Sequence, residues 1–125
     1  MLLQIMPGRF AVSKIKKPEQ IPWQDQFVFV GQTDAEFSLV CREEFLPADI
    51  VACEKGWRGL RIAGELDFSL IGILAPIAQL LAQAKISIFV VSTFDTDYVL
   101  LKEAQFAQAL ALLQQNGYQI EEIAG

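Results

Sequence analysis

The sequence predicts an α+β fold rich in short strands, and three observations carry that expectation. Most short segments alternate apolar and polar residues with period two, as half-buried strands do. Two longer stretches, near 71–83 and 103–115, instead repeat apolar residues at spacings of three and four, as one face of a helix does. Turn-forming pairs such as Pro7-Gly8 and Asn116-Gly117 separate the segments. The chain has 125 residues, 53% of them hydrophobic, which suffices to bury a core without disulfide or metal staples.

In the first half, Leu2 to Met6 is apolar and stops at Pro7-Gly8, and Phe10 to Ile15 alternates until Lys16-Lys17-Pro18. Both read as strands. Phe27 to Val30 and Glu36 to Arg42 flank a turn-like Gly31-Gln32-Thr33-Asp34, so they are expected to form a hairpin. Phe45 to Lys55 shows no clear period. A short helix opening at Pro47 is one assignment, with Gly56 ending the segment.

The second half changes period in a regular order. Trp57 to Leu66 reads as a strand, with Leu60, Ile62 and Gly64 on one face. Asp67 or Ser69 then caps a helix marked by Ile71, Leu74, Ile77, Ala78 and Leu81. Pro76 lies inside that pattern, so the helix either starts near Ile73 or kinks. Ile86 to Val91 is a continuous apolar run, expected as a strand buried on both faces. Ser92 to Asp97 breaks it, Tyr98 to Lys102 resumes it, and a hairpin around Phe94-Asp95-Thr96 connects them. Phe106, Ala107, Leu110 and Leu113 mark a second helix over 103–115, stopped by Asn116-Gly117, and Tyr118 to Ile123 forms a last edge strand. The order from Trp57 is therefore β-α-β-β-α-β. This is the ferredoxin-like arrangement, two helices on one face of a four-stranded antiparallel sheet. Two domains are expected, 1–56 and 57–125, with the open sheet face covered by the first half or by a second subunit.

Composition narrows the function. Ten basic against fifteen acidic residues leave a charge of −5, shared by both halves, so no basic patch is offered to nucleic acid. Histidine is absent, which removes the usual proton-transfer side chain and the commonest transition-metal ligand. Cys41 and Cys53 have neither the spacing nor the partners of a zinc or redox site and read as buried free thiols. Catalysis, a metal and a cofactor are accordingly not expected. The longest uncharged run, Phe68 to Ala84, has 17 residues and includes Ser69, Pro76, Gln79 and Gln83, too short and polar to span a membrane. The first ten residues lack a leading positive cluster and a small-residue cleavage signature, so a soluble cytoplasmic protein is expected. Trp23 and Trp57 read as core or interface packing, and Glu43-Glu44 and Glu121-Glu122 as surface.

Three segments resemble the ACT domain, a small module that binds amino acids in metabolic enzymes. They are the run Asp67-Phe68-Ser69-Leu70-Ile71-Gly72-Ile73-Leu74, the helix end Leu80 to Ser87, and Val91-Ser92-Thr93-Phe94-Asp95-Thr96-Asp97-Tyr98 with the apolar strand after it. The resemblance covers residues 58 to 123. The last segment is similar to a subgroup of tandem-ACT proteins, the cytosolic arginine sensors and their small bacterial relatives, which implies that residues 1–56 are a degenerate first copy. The resemblance further implies a ligand held where two ACT units meet. Its amine and carboxylate would lie near Gly72 and the helix start, where backbone N–H groups favour a carboxylate. Thr93, Phe94 and Asp97 match the segment that contacts a cationic side chain in the sensors, Ile73 faces them, and Leu70 stands where a sensor relative can offer a polar residue. Asp67 falls at the same end of the fold.

Asp95 and Asp97 have two readings. A carboxylate can take bidentate bonds from a guanidinium, yet Asp and Thr are also ordinary hairpin residues whose side chains bond nearby backbone. The expectation is thus a non-catalytic regulatory protein that binds an amino acid, with basic ones among the candidates, through Asp67, Leu70, Gly72, Ile73, Thr93, Phe94, Asp95 and Asp97. It is expected to be a homodimer. The alternative is a dimerisation or protein-interaction module without ligand.

Overall fold

The computed structural model describes residues 1–63 and 72–124. Contacts divide the chain into two units, one made of Met1–Pro7 with Arg58–Gly125 and the other of Gly8–Trp57. Among the described residues the first unit holds strand β1 (Leu2–Ile5), the end of β5 (Ile50–Ile62), helix α1 (Leu74–Gln83), β6 (Ile88–Ser92), β7 (Asp97–Lys102), helix α2 (Glu103–Gln115) and β8 (Gln119–Glu122). This is the predicted βαββαβ order with one addition.

The addition is β1. The sheet runs β6-β7-β5-β1-β8, so the N-terminal strand separates the first and last strands of the βαββαβ unit. It pairs antiparallel to β5, with Leu3 opposite Ile62 and Ile5 opposite Leu60. On its other side it pairs parallel to β8, with Leu3 opposite Ile120 and Ile5 opposite Glu122. The sheet is therefore five-stranded and mixed, not four-stranded and antiparallel. Local sequence has no signal for this, because Leu2–Ile5 is an ordinary apolar strand whose partners lie more than 50 residues away.

The core of this unit joins Leu3, Leu60 and Ile62 to Ile77 and Leu81 of α1, Val99 and Leu101 of β7, and Phe106, Ala109 and Leu113 of α2. Ala109 holds the place expected of Ala107, which is exposed. Helix α1 starts at Leu74 behind Ile73, so Pro76 falls in its first turn, where the missing N–H has no helical acceptor to lose. The expected caps Asp67 and Ser69 lie outside the described residues. Strand β6 corrects another expectation. It pairs with β7 alone among the described strands, and its residues are only partly buried, so it is an edge strand rather than one covered on both faces.

Helix α2 ends as predicted at Asn116-Gly117. The Tyr118 N–H donates to the Leu113 carbonyl at 3.1 Å and the Gly117 N–H to Gln114 at 3.1 Å, while Gly117 sits at φ +92. This double bond pattern needs a left-handed residue after the cap. Helix α1 ends the same way, with the Ile86 N–H on Leu81 at 2.9 Å and the Lys85 N–H on Ala82 at 3.0 Å. There the left-handed residue is Lys85, at φ +60.

The second unit is an antiparallel sheet of β3 (Phe29–Gln32), β4 (Phe37–Arg42), β2 (Phe10–Ile15) and the start of β5, in that order. The β3–β4 hairpin closes on a Thr33 N–H bond to the Glu36 carbonyl, 2.9 Å. No helix opens at Pro47: β5 begins at Ile50, and the only helical turns between Glu43 and Gly56 are the three 3₁₀ residues Glu43–Phe45. Gly56 does not end the segment either. The register slips between Phe10 opposite Trp57 and Val12 opposite Glu54, so β5 carries an extra residue there and continues as a bulged strand. Glu43 is more than surface, since its carboxylate accepts the Gly56 N–H at 2.7 Å and braces that bulge.

Ile15, Ile21, Leu39 and Cys41 form one core cluster of this unit, in which Phe10, Ala11, Phe27, Val40 and Trp57 are buried as well. Burial pushes the Cys41 thiol up to about 11, whereas Cys53, expected buried, is partly exposed. Trp23 is 66% exposed and is not a core residue. One partly buried polar contact is not announced by the sequence. Arg42 donates through Nε (2.9 Å) and Nη2 to the two oxygens of Asp25, whose side chain is 4% exposed. The guanidinium also lies over the Phe27 and Phe45 rings, at 6.0 and 5.6 Å from their centroids. The Arg42 hydrogen bond holds the Asp25 carboxyl below its ordinary 3.8.

Two outcomes are expected. Gly117→Ala costs about 1 kcal/mol in urea unfolding although no atom lies within 4 Å of the added Cβ, because the cost is left-handed backbone and not a clash. Because folding lowers the Asp25 value, its contribution is complete above 3.8 and is lost as pH falls through the lower folded value. The urea midpoint therefore drops on acidification below 3.8, and Asp25→Asn shows a smaller drop over that range.

Candidate functional site

The predicted residues fall into two groups. Thr93, Phe94, Asp95 and Asp97 belong to the β6–β7 hairpin, and Gly72 and Ile73 lead into α1. Asp67 and Leu70 lie outside the described residues. The hairpin forms because two apolar strands, Ile88–Ser92 and Asp97–Lys102, pair in register from Ile88 opposite Leu101 to Ser92 opposite Asp97.

Its turn is closed by threonines. The Thr93 N–H donates to the Thr96 carbonyl at 2.8 Å, and Thr93 Oγ1 donates to the same oxygen at 3.0 Å. Thr96 is the buried member. Its Oγ1 donates to the Ile62 carbonyl at 2.8 Å, which ties the turn to the last residue of β5. The hairpin tip and the end of β5 therefore share one end of the sheet, the end from which the chain departs toward Gly72.

The tip itself faces solvent. Phe94 is 75% exposed, Asp95 is exposed and Asp97 is half-buried. Ser92 Oγ donates to Asp97 Oδ1 at 2.5 Å across the strand pair. One oxygen of Asp97 thus has a local partner, as turn chemistry provides, and among the described residues the other has no donor. Gly72 has φ +74, and an added Cβ would meet nothing within 4 Å. Backbone hand, not crowding by the protein, requires glycine there. Ile73 is half-buried and packs against the same core as Val99 of β7, which joins the helix start to the hairpin strand through apolar contacts.

Such an arrangement can bind and orient a ligand through its solvent-facing aspartates. Among the described residues no group of three His, Cys, Asp or Glu side chains can hold a metal ion. None of the helices described is long and apolar enough to cross a membrane. Sequence reasoning treated Thr96 only as a turn residue; its buried bond to Ile62 has no local signature. It also missed a shallow groove of about 320 Å³ lined by Pro76, Gln79, Leu80 and Gln83 of α1 with Asn116 and Tyr118.

The family profile described as ACT domain matches residues 52–115. Over 108 residues the chain is 37% identical to the human protein named cytosolic arginine sensor for mTORC1 subunit 1; the match covers 83% of this chain and 32% of that one. The chain thus spans about a third of the length of the curated relatives it matches. Among solved structures, a protein of Agrobacterium tumefaciens superposes with a TM-score of 0.85 at 31% identity, covering 99% of this chain and 94% of its own. The regulatory subunit of aspartate kinase from Thermus thermophilus shares the fold, with a TM-score of 0.61 at 10% identity over 90% of this chain and 95% of that one.

If Thr96 anchors the tip, Thr96→Val removes one buried hydrogen bond at nearly constant volume. The expected loss is about 1–2 kcal/mol by urea unfolding, and Thr93→Val, at an exposed position, costs less.

Proposed function

The chain belongs to the ACT domain family, and we propose that it is a non-catalytic regulatory protein that binds a free amino acid where one ACT unit meets another. The protein acts in the cytoplasm as a homodimer, and residues 1–56 are a degenerate first copy of the module. Asp67, Leu70, Gly72, Ile73, Thr93, Phe94, Asp95 and Asp97 contact the ligand. Backbone N–H groups near Gly72 take its carboxylate, and the Asp97 oxygen not bonded to Ser92, with Asp95 beside it, takes a cationic side chain.

The observation that carries this reading is the 37% identity, over 83% of the chain, to a protein named as an arginine sensor. Two geometric facts support it. The hairpin tip is held to the end of β5 by a buried bond while its carboxylates stay open to solvent, and the left-handed Gly72 leaves space around the helix start. The second reading, an interaction module without ligand, is favoured by the Ser92–Asp97 bond, which supplies the aspartate with a partner already.

Isothermal calorimetry against the twenty amino acids separates the two. Binding of at least one, with a basic amino acid weakened about 10- to 100-fold in Asp97→Ala, is the expected result for a lost charge-assisted bond. Heat of binding unchanged in Asp97→Ala removes the carboxylate assignment. No heat with any of the twenty leaves the interaction module standing.

A further inference from the structure

We propose that Asn116-Gly117 is a site of spontaneous covalent modification, deamidation through a cyclic imide, and that the cap of α2 gates it. The inference concerns another part of the molecule than the ligand reading above and does not rest on it.

The sequence isolates one such bond. Asn116 is the chain's only asparagine, it precedes a glycine, and no aspartate does. Asparagine is thermolabile, because the next backbone nitrogen can attack its side-chain carbonyl in a ring of favourable size, and a following glycine has no Cβ to hinder that attack. The Gly117 nitrogen gives up its proton and bonds to Cγ of Asn116, Nδ2 leaves as ammonia, and the ring formed is a succinimide. Water then opens it at either carbonyl. One opening gives aspartate. The other gives isoaspartate, whose main chain runs through the former side chain and is longer by a methylene. Water is consumed and ammonia released, with no oxidant, reductant or further reactant.

The folded cap opposes each step. Asn116 is held at φ −103 and ψ 19, which turns the Gly117 nitrogen to the far side of the Cα–C bond from Cβ, so the ring cannot close. The nucleophile is engaged, its N–H donating to the Gln114 carbonyl at 3.1 Å. The leaving group is engaged too, since Nδ2 donates to the Leu112 carbonyl at 2.8 Å. Both residues are exposed, so water is at hand and opening of the last turn limits the reaction. That opening is resisted from beyond the cap. Tyr118 packs against the core of its unit while its N–H holds the Leu113 carbonyl, and the Gln119 N–H holds that of Met1. The pair that stops the helix is thus chemically labile and is protected by the structure it creates.

The products undo that structure. Either one exchanges the Nδ2 donor for a carboxylate at a helix end whose carbonyls already carry negative partial charge. Isoaspartate also lengthens the chain between α2 and β8, which breaks the paired bonds from Gly117 and Tyr118.

The test uses the full chain at neutral pH, folded and in guanidinium chloride, with conversion of Asn116 to aspartate and isoaspartate followed by peptide mass spectrometry. Conversion is expected to be about tenfold or more slower in the folded chain. Tyr118→Ala loosens the cap and leaves the reacting pair intact. It speeds conversion about two- to tenfold and raises hydrogen exchange at the Gly117 amide by the same factor, since one opening feeds both. An Asn116 that stays intact in denaturant overturns the site. Equal rates folded and denatured overturn the gate, a comparison that needs no variant, and so does a Tyr118→Ala chain in which exchange and conversion do not rise together. The isolated isoaspartyl chain unfolds at lower urea than Asn116→Asp, and that variant at lower urea than the unmodified chain. Equal midpoints overturn the loosening assigned to the products.

Discussion

Every buried backbone N–H and C=O must find a partner, and in this chain the placement of Leu2–Ile5 is how that requirement is met. The strand lies between β5 and β8 and bonds to both, antiparallel on one side and parallel on the other. Removing it would leave the last strand of the βαββαβ unit without a neighbour in the described arrangement. Its side chains contribute as well, since Leu3 is buried in the same core as Ile77, Leu81 and Leu113. Helices, hairpin and candidate site of this unit all stand on a sheet that the chain's first residues complete.

The two units are stabilised differently. In one, apolar contacts between two helices and a five-stranded sheet dominate, and polar side chains act at the margins, as Thr96 does in holding the hairpin tip to Ile62. In the other, a bidentate Arg42–Asp25 pair flanked by Phe27 and Phe45 joins the apolar contacts and links the loop before β3 to the end of β4. Truncating either partner of such a pair leaves the other charge buried and alone, so its retention constrains the sequence more than its net energy suggests.

Legibility followed the range of the interactions. Helix α2 was readable to the residue, because a 3.6 period, an acidic first turn and an Asn-Gly stop are all written locally. The order βαββαβ was equally local. What was not readable depends on distant partners: β1 entering the sheet of the βαββαβ unit, the bulge that carries β5 through Gly56, and the Asp25–Arg42 pair. The site divides along the same line. Thr93, Asp95 and Asp97 are visible as polar residues in a hairpin, but Thr96 looks identical to Thr93 in sequence and differs only in what it meets after folding.

The position of β1 also has a consequence for how the polypeptide matures. β1 is synthesised before its two partners, and one of them, β8, is separated from it by more than 100 residues of chain. During synthesis β5 becomes available to one edge of Leu2–Ile5 about halfway along, while the other edge stays open until β8 is made, and closing so long a loop is slow. The step that completes the sheet is therefore its most non-local one. It leaves a nascent chain with an exposed apolar strand, of the kind that chaperones shield, until β8 has been made.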